Sequence, residues 1–281
     1  MNKICILYER DLEAETDEVS ALESIVEAKA HAEFSLCYDR YVLPENSLVV
    51  PRYLDVRDYK DLEIRAYQKK ARLINSYAAH KFVADIRAYF PFVKEWTFPV
   101  YGVGEADELP EGAYIVKGIT NSLKFQWKTH MYAESKAALL KNIQQINESG
   151  LLDGQDLVIR PYVPLKQLGT TDGGLPLSNE WRLFALGGTV FSAGFYWPQL
   201  KEPIRDKPIP EDAVWLAETV AREMADRIDF VAIDVAETAS GEWALVELND
   251  GCTSGLSCIN SSLFYKDLLD ILTGEYLETV S

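Results

Sequence analysis

Two carboxylates and an amide near the C-terminal end of the chain have the types and spacing to hold a divalent cation. They are Asp234, Glu247 and Asn249, within the stretch FVAIDVAETASGEWALVELNDGCTSG from Phe230 to Gly255. The stretch reads as two strands whose Val, Ile, Leu and Trp alternate with smaller or polar residues, reversed at Ser240-Gly241. With Ser240 and Gly241 as a two-residue loop, Ala239 pairs with Glu242 and counting outward sets Asp234 opposite Glu247. Asn249, two residues on, shares that face. Opposed side chains on an antiparallel pair have Cβ atoms about 4.5–5.5 Å apart, so two carboxylates there repel unless a cation lies between them. Oxygen-only ligands of this kind suit magnesium or manganese. The same spacing also fits a solvated polar side whose charges never meet, because a one-residue slip moves Asp234 to the other face.

The elements that position these residues follow from the same alternation. One side of the hairpin carries Val231, Ile233, Val235, Ala244, Val246 and Leu248, an aliphatic surface suited to a helix; the other carries Ala232, Asp234, Ala236, Leu245, Glu247 and Asn249. From Glu211 to about Asp229 the spacing of Val214, Ala217, Val220, Ala221, Met224 and Ile228 predicts a one-faced helix that covers the aliphatic side. A second hairpin over Asn179–Phe195 turns at Gly187-Gly188, with Glu180 and Arg182 on one face and Trp181, Leu183 and Ala185 on the other.

Asp234, twelve intervening residues and Glu247-Leu248-Asn249 resemble the Asp…Glu-x-Asn magnesium signature of the ATP-grasp enzymes. The resemblance extends in the family's order from about Ile74 to Leu272. It implies that Asp234 and Glu247 hold one magnesium, that Glu247 and Asn249 hold a second, with manganese as a substitute, and that both bind ATP phosphates. Lys117, ending the apolar run Ala113–Lys117, matches the lysine that reaches the α- and β-phosphates. Arg182 matches the strand arginine that stabilises charge on the transferred group, and Glu180 shares its face among the nucleotide contacts.

Residues 118–130, GITNSLKFQWKTH, stand where the family has a flexible loop rich in small residues. Apart from Gly118 the segment has no glycine, so a lysine side chain is the substitute phosphate ligand, Lys124 first and Lys128 in reserve. Residues 156–163, DLVIRPYV, match the hinge whose backbone reads adenine: the Pro161 carbonyl accepts, the Val163 N–H donates, and Arg160 and Tyr162 stand beside them. Arg160 occupies a place where many relatives carry an acid. Beyond Asn249, the loop Gly251-Cys252-Thr253-Ser254-Gly255 precedes a last helix from about Asn260 to Leu272 and is expected to offer N–H groups to a substrate carboxylate or acyl phosphate. No histidine stands near Cys252 in sequence, so a contact or packing role is expected of it rather than a nucleophilic one.

Around this core the 281 residues allow two or three packed units. The first 90 read as α/β, with strands near Lys3–Tyr8, Glu33–Tyr38 and Ser47–Val50, a helix from Glu18 to His31 and an amphipathic helix over Asp55–Ile74. Asn75-Ser76 caps a further helix through about Tyr89. Thr97–Val103 reads as a strand, and Met131–Ser149 as a helix. The resemblance divides the chain into an N-terminal α/β domain at 1–90, a small ATP-grasp lobe at 91–165 and a C-terminal lobe with the metal site at 166–281. Its fold class is α/β (α+β), two lobes with mainly antiparallel sheets clasping ATP.

A formal charge of −16 argues against nucleic acid, since phosphate contact needs clustered Lys and Arg. No apolar segment of membrane length occurs, and the start does not read as a signal peptide. Four cysteines without Cys-x-x-Cys pairing read as free thiols of a cytoplasmic protein. A dimer is expected only as the commonest closed symmetry.

The reading is an ATP-dependent carbon–nitrogen ligase joining a carboxylate to an amine through an acyl phosphate, with release of ADP and phosphate. Small-molecule or peptide substrates are its partners. A phosphotransferase acting on a non-carboxylate acceptor, and a non-catalytic ATP-binding scaffold, are the alternatives.

Overall fold

The computed structural model describes residues 3–8, 16–28, 34–52, 58–120, 122–152 and 155–274. The chain opens with a parallel sheet in the order β2-β1-β3-β4, formed by β1 (Lys3–Tyr8), β2 (Phe34–Cys37), β3 (Ser47–Arg52) and β4 (Arg72–Leu73). Helix α1 (Thr16–Ala28) links the first two strands and α2 (Tyr59–Gln68) precedes the last. The strands read as near-continuous apolar runs because both faces are covered.

Helices α3 (Tyr77–Ala84) and α4 (Ile86–Val93) follow, and then an antiparallel sheet in the order β5-β8-β6-β7. Its strands are β5 (Tyr101–Gly102), β6 (Tyr114–Gly118), β7 (Tyr132–Ala133) and β8 (Leu157–Pro161), backed by α5 (Lys136–Ser149). A two-stranded ribbon of β9 (Gln167–Thr170) and β10 (Pro176–Ser178) leads into the largest sheet, β12-β11-β13-β14. This antiparallel sheet joins β11 (Glu180–Leu186), β12 (Thr189–Phe195), β13 (Phe230–Glu237) and β14 (Trp243–Asp250). Short α6 (Glu202–Arg205), α7 (Glu211–Met224) and α8 (Ser261–Thr273) are the remaining α-helices among the described residues.

Each face of the large sheet has its own core. Trp181, Leu183, Ala185, Val231, Ile233, Val235, Leu245 and Leu248 meet Ala213, Leu216, Ala217, Val220, Ala221 and Met224 of α7. On the opposite face Phe184, Phe191, Phe230 and Ala232 pack with Phe264, Tyr265, Leu268 and Leu269 of α8 and with Ile4, Ile6, Tyr8, Leu48 and Val50 of the parallel sheet. One half of that second face is thus closed by the N-terminal unit, and the other half is left for the cleft.

Several sequence expectations are corrected. The helix expected over Asp55–Ile74 is helical from Tyr59 to Gln68 and is followed by β4, because Lys70 takes a positive φ of 53° and turns the chain. The expected start of that helix at 55–57, the expected end of the first helix at 29–31 and the expected strand start at Glu33 lie outside the described residues. The helix through Tyr89 breaks at Asp85, whose side chain accepts from the Arg87 N–H and starts α4. Of the strand expected at Thr97–Val103 only Tyr101–Gly102 pairs with β8, while Thr97 bridges to Leu245 instead. Ser135 caps α5 by accepting from the Ala138 N–H, so that helix starts at Lys136 rather than Met131. Among the described residues no helix is long and apolar enough to cross a membrane, and all four cysteines are free.

Candidate active site

The hairpin β13–β14 sets Asp234 directly across from Glu247 and Ala232 across from Asn249. The route to that register differs from the expected one. The loop holds three residues, Ala239 to Gly241, closed by a bond from the Thr238 N–H to Glu242 O, with Gly241 at a φ of +92°. Pairing therefore begins as Glu237 with Trp243, one residue out of step, and is restored by a bulge between Asp234 and Val235 that leaves Val246 as the extra residue of β14. Before the bulge the faces exchange: Leu245 joins the α7 core, and Val246 lines the cleft.

In the cleft each carboxylate is held by a cation from a facing strand. Arg182 lies opposite Asp234 on β11 and donates to both its oxygens, Nε at 2.8 Å and Nη2 at 2.7 Å. Its Nη1 reaches Gly255 O at 2.9 Å. From β6, Lys117 Nζ donates to Glu247 Oε1. Burial acts against ionisation of Glu247, but Lys117, Lys124 and Asn249 outweigh it and hold the carboxyl down at about 2. Glu180 behaves oppositely: burial, with Asp234 beside it, pushes its carboxyl up to about 7 against Lys124 and Arg182.

Lys124 sits in a short turn after β6 and donates to the Tyr196 hydroxyl at 2.7 Å, above the rings of Tyr196 and Trp197. Burial disfavours its charge, but Tyr196, Glu180 and Glu247 more than restore it. Lys128 is placed elsewhere: it is exposed and lies across Gly174 in the β9–β10 loop, outside the cavity lining. The glycine-poor segment is ordered by aromatic contacts in place of small residues. Trp127 stacks on Tyr132 with ring centroids 5.6 Å apart, and Tyr132 meets Tyr162 edge-on at 4.9 Å.

Next to these charges is a cavity of about 160 Å³ whose apolar walls include Phe98, Ile115, Met131, Tyr162, Leu165 and Leu175. Pro161 and Val163 line it as well, and the Tyr162 N–H between them is bonded back to Ala113 O at 2.8 Å. Lys117, Lys124, Glu180 and Glu247 border the same space. Arg160 also borders it, but its guanidinium is turned to the protein: Nη1 donates to Val246 O at 2.8 Å, and Nη2 to Thr97 Oγ1 at 2.7 Å and Phe98 O at 3.2 Å.

The loop Gly251–Gly255 departs most from expectation. The N–H groups of Gly251, Cys252 and Thr253 are taken by Phe230 O, Asp250 Oδ1 and Asp250 O. Gly251 is packed so closely on the Phe230 ring that an added Cβ would lie 2.7 Å from it. Cys252 is fully buried, with its thiol pushed well up by burial and Asp250. Neither residue is placed to touch a substrate. Asp250, which sequence reading passed over, organises the loop by accepting from Asn75 Nδ2 at 2.6 Å and pairing with His80 Nδ1 at 2.9 Å. Its position one residue after Asn249, on the opposite face of a strand, was the available signal. Ser178 and Tyr196 were also missed: Ser178 donates to Glu180 two residues on, within the Ser-Asn-Glu run that was the available signal, whereas Tyr196 accepts from Lys124 across 72 positions, and nothing local in the sequence marks that contact.

The donor set fits magnesium or manganese but does not complete a shell. Asp234, Glu247 and Asn249 offer oxygen only, and among the described residues no cluster of three or more His, Cys, Asp or Glu could hold an ion alone. A six-coordinate hard cation would need further oxygens from a ligand or water.

Comparison with known proteins places these observations. A family of ATP-grasp domains, the third family of its clade, matches residues 104–268. A sequence search of curated proteins finds no match. Among solved structures, D-cycloserine synthetase DcsG is similar with a TM-score of 0.61 and 16% identity, covering 96% of this chain and 99% of that one. The D-alanyl-alanine synthetase A of Vibrio cholerae O1 biovar eltor str. N16961 gives 0.58 and 12%, covering 97% and 98%. The ATP-grasp ligase PsnB, complexed with a phosphomimetic variant of minimal precursor, Mg and ADP, gives 0.58 and 10%, covering 96% and 97%.

Proposed function

Because this chain belongs to the ATP-grasp family, whose domain it matches over residues 104–268, we propose that it is an ATP-dependent ligase joining a carboxylic acid to an amine. The observation that carries the reading is one cleft in which Lys117, Lys124 and Arg182 converge on the opposed pair Asp234–Glu247 beside an apolar cavity. The similar solved structures include synthetases and a peptide-directed ligase, and one holds Mg and ADP.

In this reading adenine enters the cavity against Phe98, Met131 and Tyr162, with the Pro161 carbonyl and Val163 N–H at its polar edge. Lys117 and Lys124 take the phosphates. The acid's carboxylate oxygen attacks the γ-phosphorus in line, the bond to ADP breaks, and Arg182 stabilises the charge that spreads over the transferred group. The amine then attacks the acyl phosphate carbon and phosphate leaves, giving an amide after loss of the amine proton. Magnesium, held by Asp234, Glu247 and Asn249, would neutralise phosphate charge. No protein nucleophile is needed, which agrees with the burial of Cys252. A substrate anion is assigned to the N–H groups of Ser254 and Gly255, the two residues after Thr253, where the Gly255 carbonyl accepts from Arg182.

The test is magnesium-dependent release of ADP and phosphate from ATP, with amino acids and short peptides supplied in pools. Release is expected to require both a pool and Glu247, and Glu247→Gln should lower turnover by about 100-fold or more, the scale of removing one preorganised charge contact. ADP release without amide formation would point to a phosphotransferase. Nucleotide binding with no release under any pool would point to a scaffold.

A further inference from the structure

Arg160 is a buried cation with neutral partners. It is 7% exposed, forms no ion pair among the described residues, and burial lowers its pKa. Burying a guanidinium against carbonyls and a hydroxyl is unfavourable compared with an apolar side chain of similar size, so its bonds merit a functional explanation. Apart from the Nη2 bond to Phe98 O at 3.2 Å, they end on one feature. Nη1 holds the carbonyl of Val246, the bulged residue, and Nη2 holds Thr97 Oγ1, which itself donates to Leu245 O at 2.7 Å. The Leu245 N–H donates to Trp96 O at 2.7 Å, and the Leu248 N–H to the Tyr89 hydroxyl at 3.3 Å. The backbone on both sides of Glu247 is therefore fastened to the segment Trp96–Phe98, to Arg160 and to Tyr89.

The bulge decides where Glu247 points. From the hairpin loop to Val235 the pairing runs Glu237 with Trp243, Ala236 with Ala244 and Val235 with Leu245. Continued without the bulge, it would set Val246 against Asp234 and Glu247 against Ile233. Paired residues share a face, and Ile233 belongs to the α7 core, so Glu247 would be driven into apolar packing. Bulges beside functional sites re-aim side chains in this way.

We infer that Arg160 and Thr97 are positioning residues that lock the Val246 bulge and so aim Glu247 at the metal–nucleotide site. They act through the β14 backbone and need no contact with the ion. The part of the inference that concerns magnesium rests on the ligase reading; the part that concerns the bulge does not.

The experiment compares the native chain with Thr97→Val, Thr97→Ser and Arg160→Met. ADP binding is measured by calorimetry with magnesium and with a chelator, and amide exchange is followed at Leu245 and Leu248. Thr97→Val is expected to weaken magnesium-dependent ADP binding about tenfold, the lower end of what loss of a supporting contact does to metal affinity. ADP binding without magnesium should be unchanged, exchange at Leu245 and Leu248 should accelerate, and Thr97→Ser should behave as native. Arg160→Met should show faster exchange at the same two amides and a larger loss of magnesium-dependent ADP binding; because Arg160 borders the cavity assigned to adenine, the comparison without magnesium rests on Thr97→Val, which also decides the matter if Arg160→Met does not fold. Native binding and exchange in Thr97→Val would overturn the inference, as would equal losses with and without magnesium. If the native chain itself shows no magnesium-dependent ADP binding, the ligase reading fails, and unchanged amide exchange in Thr97→Val would then separately overturn the clamp.

Discussion

Glu180 and Glu247 border one cavity and titrate in opposite directions, and the difference follows from what faces them. Glu247 meets the ammonium groups of Lys117 and Lys124, whereas Glu180, although close to Lys124, is desolvated and shares its surroundings with Asp234. The folded pKa of Glu180 is raised from 4.5 to about 7. Below the unfolded value both states hold the proton; between the two values only the folded state does, so this group makes stability fall as pH rises, and above pH 7 the full cost of about 3 kcal/mol is present. Glu180→Gln should therefore stabilise the ligand-free chain at pH 8 and change little near pH 4.5, read as the difference in urea midpoint between variant and native. A difference that does not vary with pH would show that folding leaves the Glu180 pKa where it is in the unfolded chain. Glu247 has the other sign: its pKa is lowered from 4.5 to about 2, so its stabilising contribution is present above pH 4.5 and disappears as pH falls through 2. Glu247→Gln should destabilise at pH 8, leaving Lys117 buried without its anion.

At the scale of elements, the site depends on how β4 and α3 are joined to the large sheet. Asn75, between them, donates through Nδ2 to Phe230 O at 2.7 Å and Asp250 Oδ1 at 2.6 Å and accepts from the Phe230 N–H at 2.9 Å. It thus closes the end of β13 as a neighbouring strand would and fixes Asp250 below the loop that follows Asn249. Asn75→Ala would leave a buried amide, carbonyl and carboxylate short of partners, so a loss of about 3 kcal/mol is expected in chemical denaturation, against about 1 kcal/mol for removing the Ser76 cap beside it. A cost no greater than that of Ser76→Ala would mean that water replaces Asn75. The hairpin shows how far elements were legible in the sequence. Alternation located both strands and the opposition of Asp234 and Glu247, but the loop is one residue longer than Ser240-Gly241 suggested, and the Val246 bulge cancels the error. The bulge is invisible to a period-2 pattern because the carbonyls of Leu245 and Val246 beside it are bonded by Thr97 and Arg160, far away in sequence, and the loop because its length is set by the bond from the Thr238 N–H to Glu242 O. The strand expected at Thr97–Val103 was lost for the same reason: its first residue serves β14 instead of β8. Lys117, Arg182 and Glu180 were legible from their strand positions, whereas Lys128 could not be distinguished from Lys124 without the aromatic packing that orders their segment.

Across the whole molecule, docking of the N-terminal unit is carried by contacts that no local pattern contains. Arg52, at the end of β3, donates to the carbonyls of Gly251 and Ser254, about two hundred positions later in the chain. The result is an acidic protein, −16 in formal charge, with Lys117, Arg160 and Arg182 buried and Lys124 half-buried around one cleft. Without ligand two of these cations serve the carboxylates: Arg182 occupies both oxygens of Asp234 and Lys117 occupies Glu247. Magnesium alone would have to displace two paired cations and leave them facing it, and the nucleotide alone would bring its phosphates up to Glu247 unshielded. In the proposed ligase reading the two together would exchange partners, the ion taking the carboxylates and the phosphates taking Lys117 and Arg182, so that charge would be matched at every position. The melting temperature is therefore expected to stay unchanged with millimolar magnesium, to rise little with ADP alone, and to rise by about 5–10 °C with both at 100 times the dissociation constant, where linkage gives about 2.7 kcal/mol and a chain of this size gains about 2–4 °C per kcal/mol. Thermal scans in a chelator, in magnesium, in ADP and in both give the four values required. A rise with magnesium alone as large as that with both would show that the carboxylates are free to bind the ion while Lys117 and Arg182 remain in place, and the partner exchange would then be wrong.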